Sequence, residues 1–140
     1  MTQTTSTGLA LFSLRVSIFL LMIVWAVLKI MAPVSYAGST EAPGIFERFY
    51  GFSVDANTVY IVGAIQIAFL IAYLLGVFKT VTTGGVLLMN LSSLIVSYEK
   101  ILAPMAERGN ILFVAAIPVF GASLAHFLMR REDRFLSLGK

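Results

Sequence analysis

Four long apolar runs, at residues 9–31, 59–78, 81–97 and 111–129, leave this chain few ways to fold. Most reach or approach the about 20 apolar residues that a helix needs to cross about 30 Å of hydrocarbon. Backbone amides in lipid must be paired within their own segment, so runs of this length read as helices. The expected fold is all-α, a polytopic membrane four-helix bundle, with residues 1–140 forming a single transmembrane domain. Composition agrees. Hydrophobic residues make up 59% and charged residues only 12%, and mean hydropathy is +0.92; a soluble domain carries about 25% charge. Residues 1–8 hold no lysine or arginine, and the first run is much longer than a signal-peptide core. It is therefore expected to be a retained helix, despite the cleavage-like Ser35-Tyr36-Ala37.

The net charge of +3 comes mainly from Arg130, Arg131, Arg134 and Lys140. Basic residues beside a membrane span set topology and touch anionic lipid, so lipid is the expected partner and nucleic acid is not. Arg15, Lys79 and the tail fall on one side of the spans; Lys29, Arg48, Lys100 and Arg108 fall on the other. The bias puts both termini in the cytoplasm. Cysteine is absent and His126 is the only histidine. No metal or haem site is expected within the chain, and no nucleophile motif, phosphate loop or dinucleotide fingerprint is present.

The first loop should carry a short interfacial helix. Phe46, Phe49 and Tyr50 share one helical face, Phe52 follows, and Gly51 is a natural stop. The simple reading is an anchor at the membrane surface; the sharper one is a lid formed by Phe46, Phe49, Tyr50 and Phe52 over a pocket between helices. Gly76-Val77-Phe78-Lys79-Thr80 reads as a tight hairpin between the second and third spans. The third connection, 98–110, holds Pro104 and Gly109 and no apolar run.

Polar residues within the spans each need a reason, because hydrocarbon penalises them. Arg15 and Lys29 stand fourteen residues apart on one helical face, with Met22 between them, and are separated by about 21 Å of rise. The ordinary reading is that each snorkels to its own surface. The functional reading turns Lys29 inward, with Trp25 one turn before it, to bind an anion or polar headgroup. Gln66 lies deep in the second span, near Gly63. Asn90 lies mid-way along the third, with Thr83 and Ser97 at seven-residue offsets. Such residues serve as helix–helix glue or as parts of a shared polar site, and amides suit quinone carbonyls. The candidate ligand-binding set is therefore Lys29, Trp25, Gln66 and Asn90. The loop acids Glu41, Glu47 and Asp55 are candidate partners for the lysine. Gly63 and Gly121 are expected at helix contacts, Pro118 should disturb the fourth span, and His126 reads as a helix-end residue or a proton relay.

Leu14-Arg15 opens the first helix and Trp25 to Lys29 closes it, with Pro33 soon after; Gly63-Ala64-Ile65-Gln66, Leu74-Leu75-Gly76 and Lys79 follow. This pattern, over residues 14–90, resembles the DoxX-like family of small four-helix bacterial inner-membrane proteins, including the reactive-chlorine-resistance membrane group. The resemblance implies an inner-membrane subunit or accessory protein in a redox or oxidative-stress setting, with quinone or a small anion as ligand. Many members of the family carry glutamate where Gln66 stands, so a proton-coupled role at that position is not implied here. Because the chain has almost no cofactor ligands, a redox role implies a membrane or peripheral protein partner, and a homo-oligomer is also open. Two rivals stand beside it: a small transporter or channel subunit, with a polar path through Lys29, Gln66 and Asn90, and a structural subunit of a larger membrane complex.

Overall fold

The computed structural model describes residues 3–106 and 110–139; Arg108, Gly109 and Lys140 lie outside the described residues. Helix α1 spans Gln3–Met31, α2 Pro33–Ala37, α3 Ile45–Tyr50, α4 Ala56–Leu74, α5 Lys79–Val96, α6 Tyr98–Leu102 and α7 Ala116–Leu128, with a 3₁₀ turn at Ile111–Ala115 before α7. Four segments are long and apolar enough to cross a membrane: Thr5–Met31, Ala56–Leu74, Lys79–Val96 and Ile111–Leu128. The chain is thus an all-α, multi-pass membrane protein. Large apolar side chains such as Leu20, Ile61, Ile65 and Ile117 lie exposed along these segments, where lipid rather than water is their partner.

Residues Met1–Phe19 and Ala72–Lys140 form one compact unit, and Leu20–Ile71 forms another. In the first unit, α5 packs along α7. Its buried residues are Thr82, Thr83, Val86 and Asn90, and Asn90 meets Ser123. Asn90 donates from Nδ2 to Ser123 Oγ at 2.8 Å, and Ser123 returns its proton to the Val119 carbonyl at 2.9 Å. The α4–α5 connection is the tight turn that the sequence predicts. Gly76 sits there at φ +67, and a Cβ on it would fall 2.4 Å from both Arg15 Nη1 and Ser137 Oγ. Only glycine satisfies both the left-handed backbone and this close approach.

In the second unit the buried apolar and aromatic side chains are Met22, Ala26, Tyr36, Val59 and Leu70. The short helix expected in the first loop is present as α3. Gly51 ends it at φ 74, with its N–H on the Glu47 carbonyl, the left-handed stop that glycine favours. Asp55 begins α4 by accepting the Thr58 N–H at 2.5 Å, and hydrogen bonds from the Thr58 side chain and backbone hold its carboxyl below the ordinary carboxylate value.

Three expectations change. The 98–110 connection contains a short helix, α6, whose five residues Tyr-Glu-Lys-Ile-Leu carry too little apolar periodicity to announce it. Pro118 falls in the first turn of α7, where no intrahelical partner is needed for its missing N–H; the disturbance in this span is instead the change from 3₁₀ to α at Ala115–Ala116. Gly121 is exposed with nothing within 4 Å of an added Cβ, whereas Gly63 is tightly covered.

Candidate functional site

The second unit gathers the basic and aromatic residues singled out in the sequence. A Cβ on Gly63 would lie 2.8 Å from Lys29 Cβ and 3.3 Å from the Ala26 carbonyl. The missing side chain therefore lets α4 close on α1 at the level of Lys29. Gln66 follows Gly63 by three residues on α4 and is half-buried. The Lys29 ammonium lies 4.8 Å from the centre of the Tyr36 ring and donates to the Trp25 carbonyl at 3.4 Å. The Tyr36 hydroxyl donates to that same carbonyl at 3.4 Å. What Trp25 supplies at this point is its backbone; its side chain is 51% exposed.

From Tyr36 the aromatic surface continues outward. Phe46 lies 6.3 Å from Tyr36 between ring centres, and 5.8 Å from both Tyr50 and Phe52. Tyr50 and Phe52 are 6.0 Å apart. Phe49, half-buried, is on the same short helix. Burial raises the Tyr36 phenol above its ordinary value, so it stays neutral. Glu41, Glu47 and Asp55 do not pair with Lys29: among the described residues the two ion pairs both involve Asp133. Asp55 is engaged at the start of α4 instead. Lys29 is thus an ammonium held on a neutral aromatic face, with N–H donors available to an incoming carbonyl or anionic oxygen. Asn90, the fourth candidate, belongs to the first unit and its Ser123 bond.

A second group was not assembled from the sequence. Arg15 does not snorkel; it is fully buried. Its Nη1 lies 3.0 Å from Asp133 Oδ2, and its Nη2 donates to the Phe135 and Leu136 carbonyls at 2.9 and 2.7 Å. The same carboxylate oxygen lies 3.0 Å from His126 Nε2, while His126 Nδ1 lies 2.8 Å from the Tyr73 hydroxyl. A His126 ring that donates from Nε2 to Asp133 and accepts at Nδ1 from the Tyr73 hydroxyl satisfies both of its links. His126 is therefore in the last turn of α7, as expected, but buried and bonded through both nitrogens. The tail is strapped down by this anchor and by Leu138 N on the Leu75 carbonyl at 2.9 Å, Gly139 N on the Gly76 carbonyl at 3.1 Å, and Ser137 Oγ on Gly76. The sequence did contain one signal for it: Arg15 is in heptad register with Met22, so it faces the protein and requires a counter-ion.

Comparison with protein-family models, curated proteins and solved structures gives no match.

Proposed function

We propose that this chain is a DoxX-like subunit or accessory protein of the bacterial inner membrane, working in a redox or oxidative-stress assembly. In this reading it holds a quinone headgroup or small anion beside Lys29, and a cofactor-bearing membrane or peripheral partner supplies the electron chemistry. The observation that carries the reading is the Lys29 ammonium over the Tyr36 ring, with no carboxylate among the described residues in ion-pair reach. A cation drawn from water needs an anionic or carbonyl partner. Aromatic rings on α2 and α3 offer the flat, apolar wall that a quinone ring or an amphiphile would use. Gln66, one turn from Gly63, offers an amide of the type that bonds quinone oxygens.

Both termini face the cytoplasm in this reading. It is supported by the tail's bonds to the α4–α5 turn, which put Lys79 together with Arg130, Arg131 and Arg134 at one end of the spans. Labelling of Thr5→Cys and Ser39→Cys in intact cells checks it: Ser39→Cys should react from outside and Thr5→Cys should not.

The site is tested by gentle detergent extraction of the full chain and of Lys29→Met, followed by quantification of bound quinone. Wild-type protein should carry quinone, and Lys29→Met should lose most of it while retaining its melting temperature. Equal quinone in both, or none in the wild type with no effect of Lys29→Met on cellular oxidant resistance, rejects the site.

A further inference from the structure

We propose that the cleft between the α4–α5 turn and the C-terminal strap binds a phosphate-bearing anionic headgroup. This site is separate from the one at Lys29. The cleft has a volume of about 820 Å³, and its walls include Lys79, Thr80, Arg130, Arg131 and Arg134. Four cations thus face one space. Among the described residues none of them has a carboxylate within ion-pair distance, because both ion pairs are made by Asp133. Like charges gathered around a cavity repel one another, and an anion is what relieves them.

Arg130 is pre-positioned. It donates from Nε to Thr80 Oγ1 at 3.2 Å and from Nη1 to the Phe127 carbonyl at 2.7 Å, and its guanidinium lies 4.3 Å from the Phe127 ring centre. Its remaining nitrogen, Nη2, is left for a ligand. Arg131 and Arg134 are exposed at the rim, and their two guanidinium forks together with Arg130 Nη2 suit phosphate oxygens better than a single point charge does. The floor adds the start of α5, where Phe78 adopts a left-handed conformation and no side chain caps the helix. Its first amides add partial positive charge on the same side.

The choice of a lipid phosphate over a soluble one comes from the surroundings. Phe78, at the cleft wall, is 78% exposed, and Val81 and Leu138 are also exposed. These apolar groups would sit among acyl chains while the arginines hold the headgroup, the arrangement of a basic lipid-binding pocket at a span end.

The test uses the full chain in phosphatidylcholine nanodiscs with increasing phosphatidylglycerol, reading the melting temperature as a binding isotherm. The comparison variants are Arg131→Gln/Arg134→Gln, in the cleft, and Arg48→Glu on α3, which makes the same change in net charge elsewhere. Among the described residues neither rim arginine makes a side-chain hydrogen bond or ion pair, so both variants should melt like the wild type in pure phosphatidylcholine. Wild type should show a saturable rise with phosphatidylglycerol. Each basic residue near an anionic headgroup contributes about fivefold in affinity, so the double variant should bind roughly 25-fold more weakly. Arg48→Glu should bind normally. A parallel titration with inorganic phosphate separates the sources: saturation there at similar occupancy assigns the cleft to soluble phosphate, and no response assigns it to lipid. The proposal is overturned if wild type does not respond to either anion, if the double variant binds as wild type does, or if Arg48→Glu weakens binding equally.

Discussion

Replacing Arg15 by methionine should release the C-terminal strap without unfolding the helices. Methionine keeps the apolar stem of the arginine and removes only its charge and donors. The loss includes the ion pair with Asp133 and two bonds to the Phe135 and Leu136 carbonyls. Breaking a buried pair from one side costs about 3–5 kcal/mol, because the other charge stays behind. Asp133 can escape this cost by returning to water if residues 133–139 lift away. Against lifting stand the Leu138 and Gly139 amide bonds to the α4–α5 turn and the Ser137 bond to Gly76. At about 0.5–1.5 kcal/mol each, these three hold the strap with roughly 1.5–4.5 kcal/mol. The stranded carboxylate therefore offsets most of what keeps the strap closed, while His126 Nε2 retains one bond to it.

Native-state hydrogen exchange in detergent, read by mass spectrometry, measures this directly. A shift of about 3 kcal/mol corresponds to roughly 100-fold faster exchange at the Leu138 and Gly139 amides, with amides in the middle of α5 unchanged. Asp133→Asn combined with Arg15→Met should recover much of the protection, since the amide removes the stranded charge and keeps an acceptor for His126 Nε2. The double-mutant cycle should return a coupling above about 2 kcal/mol. Unchanged exchange at the strap in Arg15→Met refutes the anchoring role. Equal acceleration through α5 and α7 refutes the local release.

Gly63→Ala and Gly121→Ala should move stability in opposite directions. The first places a Cβ 2.8 Å from the Lys29 stem and should cost about 1–3 kcal/mol by overpacking; the second meets open space and should be neutral or stabilising by up to about 1 kcal/mol, both read as melting temperature in one detergent. Asp55, whose carboxyl is held below its ordinary value by the Thr58 hydrogen bonds, adds stability that is complete above the ordinary carboxylate range and is lost as pH falls through the lowered folded value. Asp55→Asn should keep most of the cap and remove this acid-side component, so melting curves of the two proteins should differ in their slope below about pH 4 and not at neutral pH.

The membrane class, the four spans, the α4–α5 turn and the short helix α3 were legible because each depends on local chemistry: run length, glycine, and aromatic spacing. Thr83, Asn90 and Ser97 were legible as one face for the same reason, since seven-residue offsets repeat along one side of a helix. The partner of that face was not, because Ser123 is one of several small residues on α7 and spacing within one helix does not select a neighbour. Asp133 shows the limit most clearly. In the sequence Arg-Glu-Asp-Arg it reads as a solvated tail, and its acidity is masked by the arginines beside it. What assigns it is the need of a distant residue. Arg15 occupies the buried face set by Leu11, Ile18 and Met22, and a charge on that face must be met by an acid from another segment. His126 is subject to the same requirement one step further on, because its ring nitrogens must both be satisfied once it is buried. The tail therefore owes its structure less to its own sequence than to one arginine more than a hundred residues earlier in the chain.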